Sequence, residues 1–220
     1  MKKYAFLMMA FAVITFLAQA QNNPETAAEQ QGKKLLQEAS DKIKGYSSME
    51  VEFTYTMENT EMDITETMEG KIYSSGDKYR MVMGENVFIS DGETVWNFID
   101  ELYEIQINTV ENSEGGLTPT ALLENFEQEY RAKFIRQENH EGTMVDIIDL
   151  VPNTPQSFFK YRVALNAQDH SLVYTIAYDR HGGTYTYSID SLKPNASIPD
   201  SMFVFNREDF PADADVIDLR

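Results

Sequence analysis

Strict alternation of apolar and polar residues is the feature that most constrains the fold of this 220-residue chain. From Met49 to Met57 every odd position is apolar, and every even position is Glu or Thr. Successive side chains of a β-strand point to opposite faces of a sheet, so this pattern predicts a strand with one buried and one solvated face.

Similar segments recur at the roughly 8–12-residue spacing that is typical of sandwiches and barrels, and we count about eleven strands. They cover residues 49–57, 63–73, 79–83, 87–89, 95–98, 102–107, 130–137, 143–151, 158–166, 171–179 and 184–189. Residues 202–205 and 216–219 are expected to close the edge of the sheet. The chain is therefore predicted to be mainly β.

Two helices interrupt the strand series. Residues 27–44 carry Leu35, Leu36, Ala39 and Ile43 on one stripe, which predicts an amphipathic helix. Thr118-Pro119 provides a good N-cap and first-turn pair, and a short helix is expected over residues 120–126.

The N-terminus has the three parts of a secretory signal peptide. Lys2 and Lys3 precede an apolar run over residues 5–17, and Ala18-Gln19-Ala20 is a small-x-small cleavage pattern. We expect residues 1–20 to be cleaved after Ala20, with an uncleaved anchor as the alternative, and residues 21–220 to form a single exported domain. The chain has no cysteine, so we expect neither a lipid anchor at position 21 nor disulfide bonds.

Charge and motifs argue against several classes of function. The formal net charge of −18 disfavours binding to nucleic acid. His140, His170 and His181 fall in separate predicted turns, where we expect them to be solvated, and no catalytic or nucleotide-binding motif is present. We therefore predict no catalytic residues, no metal and no cofactor, and a binding protein rather than an enzyme.

The apolar strand faces are rich in Met and aromatic residues, and flexible Met side chains suit surfaces that accept ligands of varied shape. A sheet that curls without closing, with helices to cover it, would enclose such a surface as a cavity. Ordinary core packing is the alternative. Period-two alternation defines two faces of each strand without saying which one lines a cavity.

Several segments resemble the LolA family, the periplasmic carriers of outer-membrane lipoproteins. Residues 89–98, ISDGETVWNF, resemble the family hairpin SDG-x-x-x-W-x-Y. Phe53-Thr54, residues 70–73, Thr118-Pro119 before Leu122-Leu123, and residues 203–218 match in order and spacing. Tyr161-Arg162-Val163 and residues 216–220 look most like the Bacteroidetes-type branch.

The resemblance implies an unclosed antiparallel β-barrel covered by an α-helical lid. It also implies a monomeric periplasmic protein that takes acylated lipoproteins from an inner-membrane ABC-type releasing complex and delivers them to the outer membrane, where a receptor is possible. The alternative is an envelope lipid-binding or sensor protein of the same fold with another ligand. The residues expected to bind ligand in an apolar cavity and lid are Ile43, Phe53, Tyr55, Met68, Ile72, Tyr79, Met81, Ile89, Trp96, Phe98, Leu122 and Leu123.

One position departs from the family pattern. The resemblance implies an Arg in the turn after the second strand, as in the better-studied members. In those members this Arg forms hydrogen bonds with carbonyl groups of the lid in the closed state. Gly76 stands at that position, and Arg80 is the nearest candidate to replace the missing Arg.

Overall fold

The computed structural model describes residues 25–110, 121–124 and 126–220. The predicted signal peptide and the predicted cap Thr118-Pro119 lie outside these residues. No helix in the described part of the chain is both long and apolar enough to cross a membrane.

Three α-helices are described: α1 (Ala27–Lys44), α2 (Ala121–Glu124) and α3 (Phe126–Glu129). The bounds of α1 match the prediction, and the helical segments α2 and α3 overlap and extend beyond the short helix expected over residues 120–126. α1 begins with a capping box, in which Thr26 Oγ1 accepts from the Glu29 amide at 3.2 Å and Glu29 Oε2 accepts from the Thr26 amide at 2.8 Å. The Thr26 backbone N–H and, second, its hydroxyl donate to the Glu29 carboxylate, and these two hydrogen bonds lower the pKa of Glu29.

The described strands form one sheet in the order β12-β6-β5-β4-β3-β2-β1-β11-β10-β9-β8-β7, whose two edges, β12 and β7, are not paired with each other. Their bounds are β1 Met49–Asn59, β2 Ile64–Ser75, β3 Lys78–Met83, β4 Asn86–Ser90, β5 Thr94–Ile99, β6 Glu104–Thr109, β7 Tyr130–His140, β8 Thr143–Pro152, β9 Phe158–Asn166, β10 Leu172–Asp179, β11 Gly183–Pro194 and β12 Asp215–Asp218. The prediction of a mainly β, unclosed sheet is confirmed.

The twelfth strand comes from the C-terminal segment. β12 pairs in parallel with β6 and so extends the edge, as expected for residues 216–219. Residues 202–205 do not form a strand, because a 3₁₀ turn occupies Asp200–Phe203.

The strand register assigns each side chain to one of two faces. We call the face that carries Phe53 the inner face and the opposite one the outer face. Along β1, β2 and β3 the inner face is fixed by the cross-strand neighbours Phe53, Gly70 and Met83. α1 lies on the inner face of β7–β10, where Leu36, Ala39 and Ile43 pack with strand residues in a helix-covered cluster.

The members of the helix-covered cluster come from α1, α2, α3 and the strands. The buried ones are Leu36, Ala39, Ile43, Leu123, Phe126, Ala132, Ile148, Leu150, Tyr161, Val163, Leu165, Leu172 and Ala177. Gly32 brings α1 directly against β7, because a Cβ there would lie 2.7 Å from Phe134 N and 3.0 Å from the Lys133 carbonyl carbon.

The outer face is covered in two different ways. Over β4–β6 the C-terminal segment supplies Phe205, Phe210 and Ala214, which pack with Phe98 and Ile105 in a tail cluster. Over β1 and β2 the outer face is polar.

A lysine joins two carboxylates on this polar part. Lys71 Nζ lies 2.8 Å from Glu50 Oε1 and 3.0 Å from Glu52 Oε1. Hydrogen bonds from Lys71 hold the pKa of both carboxyls below their ordinary value. This surface remains charged, and therefore solvated, at neutral pH.

We expect Gly32→Ala to destabilise the protein, although Ala favours a helix by about 1 kcal/mol. The added methyl group meets the β7 backbone, which cannot move aside as a side-chain end can, so the loss should be about 2 kcal/mol of unfolding free energy in urea denaturation. Lys34→Ala, on the exposed side of α1, should change it by less than about 0.5 kcal/mol. Equal stability of Gly32→Ala and the wild type would contradict the close approach.

Phe205→Ala should shift the emission of Trp96, the only tryptophan, to longer wavelength. The two rings stack with centroids 5.4 Å apart, so the substitution lets water reach the indole. Phe→Ala at this half-buried site should cost about 2 kcal/mol of unfolding free energy. Phe159→Ala, whose ring contacts Tyr178, should leave the emission unchanged. An unchanged spectrum for Phe205→Ala would exclude this packing of the tail.

Candidate ligand-binding surface

Nine of the twelve predicted ligand-binding residues lie on the inner face or pack against it. Ile43, Leu122 and Leu123 belong to the helix-covered cluster or contact it. The other six are strand residues: Phe53, Tyr55, Met68, Ile72, Tyr79 and Met81. The structure brings these nine together, and their contact with a ligand stays a prediction.

The remaining three predicted residues, Ile89, Trp96 and Phe98, lie on the outer face. Ile89 and Trp96 are cross-strand neighbours there, and Phe98 is buried in the tail cluster. The expectation that they share a surface with Phe53 is wrong. β4 reads Val87-Phe88-Ile89, apolar at three successive positions, so alternation could not decide which side chain points inward.

A second cluster lies on the inner face, and all of its described members are strand residues. We call it the strand-only cluster. Its buried members are Val51, Phe53, Ile72, Met81 and Tyr187, with Met49, Tyr55, Met83, Phe88, Ile189 and Leu192 packed against them. Three of these are methionines, whose flexible thioether side chains can adapt to differently shaped apolar partners.

Phe53 lies at the centre of this cluster and is fully buried. A Cβ at Gly70 would lie 2.1 Å from Phe53 Cζ, so only a glycine leaves room for the ring on β2. The Tyr187 ring is 5.5 Å from Phe53 and 5.0 Å from Tyr55 between centroids. The surface is thus a continuous aromatic and thioether layer.

The tyrosine hydroxyls do not add charge to this surface. Burial raises the pKa of Tyr55 to about 12 and raises that of Tyr187 above its ordinary value. Both side chains are therefore neutral at physiological pH, and the surface is suited to an uncharged apolar ligand rather than to an ion.

Sequence reasoning missed two residues at the edge of the strand-only cluster. Phe88 is the inner-face neighbour of Met81, and Asn97 is the inner-face neighbour of Phe88. The sequence does carry a signal for Asn97, because it alternates with Trp96 and Phe98 and must point away from both. Asn97 Oδ1 is buried and accepts no hydrogen bond from the described residues.

The three histidines have different surroundings. His170 Nδ1 lies 3.1 Å from Glu38 Oε2, and His140, the last residue of β7, has its ring 4.9 Å from that of Tyr174, so these two are half-buried rather than fully solvated. His181 is exposed. No three His, Asp or Glu side chains in the described ranges are placed to hold a metal ion.

A pocket of about 360 Å³ lies on the solvent side of α1. Its lining is Glu25, Gln30, Lys33, Lys34, Gln37, Glu38 and Glu127. None of these lining residues belongs to the strand-only cluster of the inner face defined above.

The β2–β3 turn has Gly76 where the resemblance predicts an Arg, and Arg80 lies on the next strand. Gly76 has φ of 57°, and an added Cβ would meet nothing within 4 Å. Arg80 pairs across the strands with Tyr73 and Ile89, which places it on the outer face. α2 packs on the inner face, so Arg80 and α2 lie on opposite faces of the sheet, and the register does not support Arg80 as a replacement for the latch.

Comparisons with known proteins agree with this architecture. An uncharacterized conserved protein from Thermus thermophilus is 12% identical, with a TM-score of 0.54 and coverage of 86% of this chain and 99% of that one. A putative outer membrane lipoprotein-sorting protein domain from Vibrio parahaemolyticus is 13% identical, with a TM-score of 0.47 and coverage of 80% of this chain and 97% of that one.

A LolA superfamily protein from Nitrosomonas europaea is 12% identical, with a TM-score of 0.43 and coverage of 79% of this chain and 97% of that one. Of these three, only the Thermus thermophilus protein has a TM-score above 0.5, and at 12% identity that likeness shows the fold alone. The search of curated proteins finds no match. The family model of the outer membrane lipoprotein carrier protein LolA matches residues 26–206. This chain therefore belongs to the LolA family.

Proposed function

We propose that this protein is a periplasmic carrier that binds the acyl chains of lipoproteins on its inner face and moves them from the inner to the outer membrane. The observation that carries the proposal is the strand-only cluster, an uncharged Met-rich and aromatic surface in a chain of a carrier family. Its partners are acylated lipoproteins, an inner-membrane ABC-type releasing complex, and a receptor or the outer membrane itself.

The energetics of acyl chains support a carrier of this kind. Each CH₂ group removed from water contributes about 0.8 kcal/mol, so a chain of about 14 methylenes gains roughly 11 kcal/mol on burial. A lipoprotein with such chains does not cross an aqueous compartment unaided at a useful rate. An apolar surface under helical cover offsets this cost.

The location of the strand-only cluster also supports the proposal. It adjoins the helix-covered cluster through Met49 and Ile189, which contact both. α2 and α3 are fixed to the helix-covered cluster by Leu123 and Phe126, both buried. A ligand on the strand-only cluster would therefore lie beside the helices that the family uses as a lid.

Neighbouring residues of β3 allow a matched test of which face binds acyl chains. Met83 is on the inner face and Val82 on the outer face, and both are half-buried. Met83→Glu should weaken binding of a tripalmitoylated lipopeptide by at least about ten-fold, about 1.4 kcal/mol, because it places a carboxylate on the acyl surface. Val82→Glu, which faces Lys71, should change it by less than about two-fold.

The measurement is native mass spectrometry of the exported protein, loaded with the lipopeptide, with circular dichroism to verify that both variants are folded. Equal loss in both variants, or full binding by folded Met83→Glu, would contradict acyl binding on the inner face. Binding of phospholipid with rejection of the lipopeptide would instead favour an envelope lipid-binding or sensor protein.

A further inference from the structure

A row of inner-face residues changes from apolar to polar in a single step. Cross-strand neighbours run from Leu192 through Val51, Ile72, Met81 and Phe88 to Asn97 and Gln106. Strands are spaced about 4.8 Å apart, so the five apolar members span roughly 19 Å. Two side-chain amides then follow, before Ile217 of the edge strand β12.

Asn97 is unusual within this row because its Oδ1 is buried and has no hydrogen-bond donor among the described residues. The neighbouring amide that could donate, that of Gln106, instead donates from Nε2 to Glu104 Oε2 at 3.3 Å. On the other side stands Phe88, whose side chain has no donor. A buried acceptor without a partner costs free energy, so it needs an explanation.

The position of Asn97 does not suggest a structural role. A side chain needed for the fold would find its hydrogen bond within the fold, as Asn86 does by accepting from the Asp100 amide at 3.0 Å. Asn97 instead presents an unused acceptor at the point where the apolar row ends. A ligand lying along the row with its chain over Phe88 would place its first polar group there.

We propose that Asn97 Oδ1 accepts a hydrogen bond from the amide N–H of an N-acylated ligand whose chain lies on the strand-only cluster. This inference rests on the proposed function and specifies its ligand class. An amide-linked acyl chain carries an N–H donor where the chain meets the polar part of the molecule. An ester-linked chain has only acceptors there and would leave Asn97 unpaired.

The subsite therefore distinguishes N-acylated amino termini from ester lipids of equal chain length. Recognition sites with a buried polar group reject ligands that cannot pair with it, because the unmade hydrogen bond is then carried into the complex. Since no described residue donates to Asn97 Oδ1, the N–H of an amide-linked ligand would supply a hydrogen bond that the protein itself does not.

The test compares two probes that differ in one group, N-palmitoylglycine methyl ester and the analogue in which an ester oxygen replaces the amide N–H. The full exported protein should bind the amide about five-fold more tightly, as measured by calorimetric titration below the micellar concentration. Asn97→Leu should bind both probes equally. Asn108→Leu, an inner-face amide of β6 opposite Val95, should keep the five-fold preference.

Thermal unfolding of the unliganded variants completes the test. Asn97→Leu should unfold at the wild-type temperature or above it, since it removes an unpaired buried acceptor. Unfolding of this variant at a lower temperature, an equal affinity of the wild type for both probes, or loss of the preference in Asn108→Leu as well would overturn the subsite. If the wild type binds neither probe, acyl carriage itself fails and the subsite with it, whereas equal binding of both leaves carriage standing.

Discussion

The fold depends on one constraint. The described strands form a single sheet, and the apolar side chains on each of its two faces must be buried by other parts of the chain. α1 covers the inner face of β7–β10, where Gly32 lets it touch the β7 backbone. The C-terminal segment covers the outer face of β4–β6, and charged side chains around Lys71 solvate the outer face of β1 and β2. The strand-only cluster lies outside these covers among the described residues, and it is the surface that we propose for the ligand.

Much of this architecture follows from the sequence, because period-two alternation and helical stripes are local. The bounds of α1 and the strand series belong to that part. The faces of β4 and β5 do not, since Val87, Phe88 and Ile89 are all apolar and the deciding contact comes from Phe205, more than 100 residues away in the chain. The prediction for Trp96 fails for the same reason: its stacking partner lies in a segment without a periodic pattern.

Within the described residues, the helical cover is held by apolar contacts rather than by the polar latch of the family pattern. Leu123 and Phe126 are buried against the sheet, while Gly76 offers no side chain and Arg80 lies on the other face. Fully burying one such side chain contributes about 1.5–3 kcal/mol. Moving α2 and α3 away would expose both side chains, so under the proposed function a hydrophobic ligand that replaced these contacts would lower the cost of that movement.

A carrier must also release its cargo, which limits how much each contact can contribute. Methionines on the strand-only cluster adapt to a chain without fixing one shape, so binding to them depends mainly on the area buried and discriminates little among ligands. Discrimination then has to come from a polar group, and a polar group on an apolar face is unfavourable until it is paired. Asn97 Oδ1, which has no donor among the described residues, is the group proposed for this role: pairing with an amide N–H would make the affinity depend on the chemistry of the group that joins the chain to its cargo.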